Sequence, residues 1–286
     1  MYTTLISAPE LHSLMTSKQA LMVFDCSFEL MNPTAGDAQY QQSHIVGAVR
    51  ADLDRHLSAT KGAADAASGG RHPLPSREVF AAWLGSVGLT PATQVVVYDR
   101  QGGNYCGRLW WMLKWMGHEA SAVLDGGLAA WQAINGAIEL GTNPELQATN
   151  YPLVLTNKGL ADTNYVANRL GQPAMTLIDA RGAPRYRGEV EPLDPVAGHI
   201  PGALNRPFTD NFDPQGKFKP AAQLRFEFEA LLAGRDPRTV VHHCGSGVSA
   251  VPNLIAMEVA GLGRGALYAG SWSEWCSDPN RPFAQG

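Results

Sequence analysis

"TVVHHCGSGVSAVPNLIAMEVAGLG", residues 239–263, decides the fold. A short β-branched run ends at Cys244, a glycine-spaced loop follows, and an apolar helix-like segment begins near Pro252. Structural cysteines sit within strands or helices. A thiol at a strand exit, beside loop amides and a helix N-terminus, sits where a thiolate is stabilised. Gly245 and Gly247 lack β-carbons, so the loop can curl and aim successive N–H groups inward; Ser246 and Ser249 add hydroxyls, and Val248 lies between them.

Working outward, the chain repeats itself. "VFDCS" (23–27) recurs as "LIDAR" (177–181), and "SHIVGAV" (43–49) as "GHIPGAL" (198–204). "TQVVVYDR" (93–100) recurs as "RTVVHHCG" (238–245), and "VLDGGLAAW" (123–131) as "LYAGSWSEW" (267–275). The order is kept through all four pairs, so the chain is expected to hold two copies of one domain. Each copy alternates β-branched runs with amphipathic stretches, which predicts an α/β fold with a mostly parallel sheet flanked by helices. The expected boundaries are 1–140 for the first domain, a polar linker at 141–156, and 157–286 for the second.

Helix starts are legible. "SAPE" (7–10) fits a capping box, Ser76 precedes a helix running to Gly88, and Pro220 opens one running to Gly234. Trp110, Trp111 and Trp115 at helical spacing predict packing rather than an aromatic ligand platform.

With 45% hydrophobic residues, 17% charged residues and a net charge of -4, the composition is that of a soluble globular protein. It gives no reason to expect nucleic acid or an anionic membrane as partner. No apolar run reaches the roughly 18 residues of a membrane helix, and the N-terminus lacks the pattern of a signal peptide. Four cysteines, Cys26, Cys106, Cys244 and Cys276, are too few for a disulfide scaffold, so a cytoplasmic protein is expected.

The repeat also compares the copies. The first has Asp99 where the second has Cys244, so only the second offers a nucleophile at the strand exit and is expected to be the catalytic copy. Cys26 and Cys276 lack such a setting and read as packing, while Cys106 stays ambiguous. A cysteine-dependent phosphatase needs an arginine in its loop to hold a phosphate dianion; Ala250 stands six residues after Cys244 and the loop has no basic residue. Metal binding by "HHC" is disfavoured because neighbouring strand residues point to opposite faces. No metal site is expected.

The tandem halves, "GHIPGA", "DGG" with a downstream Trp, and "CGSGVSA" resemble the two-domain rhodanese-type sulfurtransferases over residues 5–286. The loop is most similar to the 3-mercaptopyruvate sulfurtransferases, whose usual Cys-Gly-Ser-Gly-Val-Thr ends here in Ser249. Thiosulfate-preferring relatives carry basic residues in this loop. The resemblance implies that a Cys244 thiolate takes sulfur from 3-mercaptopyruvate as a persulfide and passes it to a thiol, thioredoxin-like or cyanide acceptor, with no cofactor. A thiosulfate sulfurtransferase is the alternative, and a non-catalytic persulfide carrier a further one.

Carried over residue by residue, the resemblance makes Cys244, Ser246, Asp54 and His72 catalytic, with Asp54 as the acid of a Cys-Ser-Asp relay. Asp54 ("ADLD", 51–54) and His72 ("RHPLP", 71–75) fall in the first half, so a site between the two domains is expected. Gly245, Gly247, Val248 and Ser249 are expected to line the substrate. Arg185 matches the family's first carboxylate-binding arginine. The second falls at Asp194, and Arg187 is expected to supply that charge. Arg181 is expected to pair with a carboxylate behind the loop.

Overall fold

The computed structural model describes residues 1–142, 146–153 and 159–286. The chain forms two compact units. One comprises Met1–Ala59, Pro75–Thr156 and Pro214–Lys217, and the other Thr60–Leu74, Asn157–Asp213 and Phe218–Gly286. Residues 60–74, in the sequence part of the first half, thus pack with the second unit.

The first unit contains β1 (Leu5–Ile6), α1 (Ala8–Met15), β2 (Leu21–Asp25), α2 (Ala35–Gln42), β3 (His44–Ile45) and β4 (Val49–Arg50). There follow α3 (Arg77–Ser86), β5 (Gln94–Tyr98), α4 (Cys106–Trp115), β6 (Ser121–Leu124), α5 (Gly127–Ala133) and β7 (Ile138–Glu139). Its five-stranded sheet runs β1-β6-β5-β2-β4, with every pairing parallel. A small antiparallel ribbon joins β3 to β7.

The second unit contains β8 (Leu160–Ala161), α6 (Thr163–Arg169), β9 (Thr176–Asp179), α7 (Ala183–Tyr186) and β10 (Leu204–Asn205). Then come α8 (Ala221–Leu232), β11 (Val240–His243), α9 (Val251–Val259), β12 (Ala266–Tyr268) and α10 (Ser271–Trp275). Its sheet runs β10-β9-β11-β12-β8, again all parallel. From the other edge this is the order of the first sheet, so the α/β reading and the duplication hold at the level of topology.

They hold at the level of side chains too. Tyr40 stacks on His44 with centroids 3.8 Å apart, and its hydroxyl donates to the Ala48 carbonyl at 2.5 Å. Tyr186 and His199 repeat the stack at 3.8 Å, with the hydroxyl on the Ala203 carbonyl at 2.6 Å. The same lock thus closes the "HI-x-GA" turn in both units.

Ser7 and Glu10 form the expected capping box. Ser76 caps α3, which stops at Ser86, with Gly88 beyond it at φ +80°. Helix α8 ends at Leu232, two residues short of Gly234, because Ala233 itself takes the left-handed cap conformation at φ +49°. Every residue of α4 is buried, including Trp110, Trp111 and Trp115. The burial of all three tryptophans agrees with the packing reading.

Of the expected linker 141–156, residues 143–145 and 154–156 lie outside the described residues. The part between is fastened to the first unit. The Thr149 amide donates to the Gly85 carbonyl at 2.8 Å and its hydroxyl to the Leu89 carbonyl at 2.6 Å. The Tyr151 hydroxyl lies 2.9 Å from His118 Nδ1. Among the described residues, no helix is long and apolar enough to cross a membrane.

Candidate active site

Strand β11 is the middle strand of its sheet and is buried throughout, so it delivers Cys244 at its carboxyl end. The two histidines before it belong to the strand. Burial pushes the His242 imidazole down to about 3, and its Nε2 lies 3.1 Å from Met257 Sδ. Burial also lowers His243, whose Nε2 lies 4.0 Å from an Asp179 oxygen. Burial thus works against the charged form of both rings, which lie against different elements.

Cys244 is 2% exposed. Its amide donates to Ser271 Oγ at 3.1 Å, that hydroxyl donates to the Tyr268 carbonyl at 2.9 Å, and the Cys244 carbonyl accepts from the Trp272 amide at 3.0 Å. Ser271 holds this bridge from a left-handed φ of +55°. The backbone on both sides of the thiol is therefore fixed by the start of α10. Gly247 turns the loop at φ +74°, where a β-carbon would stand 2.2 Å from the Ala269 carbonyl oxygen. The amides of Gly245, Ser246, Val248 and Ser249 donate to no protein acceptor among the described residues. These amides, on the loop that follows Cys244, leave donors available for an anion. Val248 is buried and Ser249 half-buried.

Ser246 Oγ lies 2.8 Å from His72 Nδ1, and both residues are buried. His72 thus belongs to the unit that carries Cys244, although it comes from the first half of the sequence. Asp54 belongs to the other unit, where its amide donates to Asp52 Oδ1 at 3.0 Å. Burial, reinforced by Asp52, raises its carboxyl above the ordinary value.

Three arginines stand around the loop. Arg181 is buried and chelates Asp179, with Nε 3.0 Å and Nη2 2.6 Å from Oδ2, and it also donates to the Gly198 carbonyl at 2.7 Å. Burial alone would raise the Asp179 carboxyl, but its neighbours His243 and Arg181 outweigh it and hold the carboxyl below the ordinary value. Arg181 is therefore the carboxylate-paired arginine expected from the sequence.

Arg185 donates to Glu191 at 2.6 Å and to Asp194 Oδ2 at 3.3 Å. A β-carbon on Gly245 would stand 3.6 Å from its Nη1, so its guanidinium reaches the residue after the nucleophile. Arg187 does not come there. It pairs with Glu189 at 2.7 Å, both side chains about half exposed.

Sequence reasoning missed Arg71. Its Nη1 donates to Asp194 Oδ1 at 2.7 Å, and its Nη2 would be 3.1 Å from a β-carbon on Gly245. The chain reaches this place through Gly70, at φ +89°, where a β-carbon would meet the Gly270 carbonyl oxygen at 2.5 Å. The Arg71 amide is then held by Ser273 Oγ at 3.0 Å. The available signal was a basic residue beside a candidate histidine, after two glycines. A cleft of about 700 Å³ opens beside this group, lined by Lys61, Arg71, Asp194, Ser273, Glu274 and Arg281 among others. A hollow of about 510 Å³ at the amino end of β9, lined by Met175, Thr176 and Asp236, holds none of these groups.

The other cysteines are of a different kind. Burial pushes the thiols of Cys26 and Cys106 well up, with Asp25 and Asp99 respectively adding to the effect, and burial raises half-buried Cys276 as well. None is poised as a thiolate.

A model of the rhodanese-like domain matches residues 7–134 and again 162–278. A Pseudomonas aeruginosa protein named "Probable 3-mercaptopyruvate sulfurtransferase" is 47% identical, with 94% of each chain covered. The mitochondrial "Thiosulfate/3-mercaptopyruvate sulfurtransferase 1" of Arabidopsis thaliana is 32% identical over 92% of this chain and 73% of its own. Among solved structures, the 3-mercaptopyruvate sulfurtransferase of Leishmania major superposes with a TM-score of 0.83 at 29% identity, over 96% of this chain and 74% of that one. With the family's domain matched twice, over residues 7–134 and 162–278, the chain belongs to the rhodanese-like family.

Proposed function

We propose that this protein is a sulfurtransferase that moves sulfur from 3-mercaptopyruvate to a thiol or cyanide acceptor through a persulfide on Cys244. The observation that carries the reading is Cys244 at the head of a loop whose Gly245, Ser246, Val248 and Ser249 amides have no protein acceptor among the described residues, with the Arg185 guanidinium close to Gly245. The Cys244 thiolate attacks the sulfur of the donor. A sulfur–sulfur bond forms, the donor's carbon–sulfur bond breaks, and its electron pair passes to carbon as the enolate of pyruvate. The proton from the donor thiol ends on that carbon, releasing pyruvate and leaving a persulfide anion on Cys244. Cyanide or a thiolate then removes the outer sulfur and restores the Cys244 thiolate.

Each group has a part in this scheme. The amides of Gly245, Ser246, Val248 and Ser249 stabilise the thiolate and then the persulfide anion. Arg185 holds the donor carboxylate. Ser246 and His72, 2.8 Å apart, carry the proton between sulfur and carbon. Asp54 is the proposed acid of that relay. Cys244 to Ser249 form the donor's floor. Four free cysteines suit a reducing, cytoplasmic setting and a thioredoxin-like acceptor.

The test is turnover: pyruvate release from 3-mercaptopyruvate and thiocyanate formation from cyanide, beside thiosulfate as donor. Multiple turnovers that vanish in Cys244→Ser are expected. A protein that stops after one equivalent is a carrier, and one that prefers thiosulfate is a rhodanese in the narrow sense. Either outcome overturns the reading.

A further inference from the structure

We infer that Arg71 supplies the second guanidinium for the donor carboxylate, and that Asp194, shared between Arg71 and Arg185, makes the site select a singly charged donor over a doubly charged one. The inference rests on the sulfur-transfer reading above and extends it to donor choice.

The first observation is the direction of the free edges. Arg71 spends one nitrogen, Nη1, on Asp194. Its Nε is buried and has no hydrogen-bond partner among the described residues, and its Nη2 is the atom nearest a β-carbon on Gly245. Nε and Nη2 are the two N–H donors of one guanidinium edge, the edge that grips a carboxylate bidentately. Arg185 is turned the other way. Its Nε and Nη2 donate to Glu191 and Asp194, while both terminal nitrogens lie 3.6–3.7 Å from where a β-carbon on Gly245 would stand, so Nη1 holds the donors left over. Two guanidinium groups thus converge over the residue that follows the nucleophile, each with donors left for an incoming anion. A carboxylate bound there places the sulfur of a three-carbon donor toward Cys244.

The second observation is the charge balance. Arg71, Arg181 and Arg185 face Asp179, Glu191 and Asp194, three charges of each sign. The Asp194 side chain is 4% exposed and bridges the two open arginines with its separate oxygens, at 2.7 and 3.3 Å. It fixes their spacing and removes one unit of positive charge. A monoanionic carboxylate still gains directed hydrogen bonds. A dianion such as thiosulfate meets two guanidinium groups whose charge Asp194 already partly neutralises, with that buried carboxylate beside it, and like charges in such a place repel strongly.

The test compares 3-mercaptopyruvate and thiosulfate as donors, with cyanide as acceptor, in the wild type, Arg71→Ala, Arg71→Lys and Asp194→Asn. Discharge of preloaded persulfide to cyanide is measured separately. Arg71→Ala is expected to raise KM for 3-mercaptopyruvate roughly tenfold to hundredfold, and Arg71→Lys to recover only part of that, because an ammonium lacks the two-pronged edge. Discharge of the persulfide should stay within about twofold, because the donor has already left. Asp194→Asn is expected to move the ratio of kcat/KM values about tenfold toward thiosulfate. An unchanged KM in Arg71→Ala, an equal slowing of donor use and persulfide discharge, or an unmoved donor ratio in Asp194→Asn would overturn the inference while leaving the sulfur-transfer reading intact. A wild type that releases no pyruvate overturns both.

Discussion

Asp99 and Cys244 occupy one position in two copies of one fold. Each follows the middle strand of its sheet by one residue, and each carbonyl accepts from the helix start opposite, Leu128 at 3.3 Å and Trp272 at 3.0 Å. What differs is the filling of the loop. Asp99 turns its carboxylate into its own loop and accepts four amides, from Gln101, Gly103, Tyr105 and Cys106, at 2.8 to 2.9 Å. The first unit therefore shows what this loop is built to hold, an anion. Cys244 places a sulfur nucleophile where the other copy keeps a permanent internal carboxylate.

Asp99 is accordingly a stability residue. Asp99→Asn trades two accepting oxygens for one oxygen and a donor group that confronts inward amides. We expect a loss of about 2–3 kcal/mol in urea unfolding, with sulfur transfer still measurable in the folded variant. Stability equal to wild type would show that the carboxylate is not needed there.

Ser246 and His72 should act together. Ser246→Ala and His72→Asn are each expected to lower kcat roughly tenfold to hundredfold in pyruvate release, and the double variant little more than either one, since they share one hydrogen bond. Fully additive losses would mean that they work separately.

Of the two arginines near α7, Arg185 faces Gly245 while Arg187 is engaged by exposed Glu189. The rise in KM for 3-mercaptopyruvate should be about tenfold larger in Arg185→Ala than in Arg187→Ala. Steady-state kinetics on the two variants checks the order, and the reverse order would return Arg187 to the site.

The second unit also carries a pH-dependent brace. Burial would raise the Glu227 carboxyl, but hydrogen bonds from Arg206, Lys219 and Gln223 hold it down to about 2. A depressed acid stabilises the fold above its unfolded value of 4.5, and that stability is lost as pH falls through about 2. With a quarter of the side chain exposed, Glu227→Gln should cost about 1–2 kcal/mol at pH 7, and the difference from wild type should shrink steadily below pH 4.5. Urea denaturation at several pH values measures it, and a gap independent of pH contradicts it.

Much of this was legible in the sequence because it repeats there. The offset pairs marked β2 against β9 and β5 against β11, and the Asp99–Cys244 contrast singled out Cys244 before any geometry. Arg71 was not legible. Its place depends on where residues 60–74 fold, and packing against Ser273 and Gly270 decides that rather than any local pattern. Arg187 misled for a related reason: spacing along a short helix does not say which arginine turns toward Gly245. The linker pattern missed Thr149 and Tyr151, since a polar segment can still satisfy its groups on a neighbouring surface.

The central claim is that Cys244 carries the sulfur. Mass spectrometry of the protein after one equivalent of 3-mercaptopyruvate, without acceptor, tests it most directly. The account predicts a gain of one sulfur atom located on the peptide containing Cys244, matched by one pyruvate released and lost on adding cyanide. An unmodified Cys244, or the added sulfur on Cys26, Cys106 or Cys276, would contradict it.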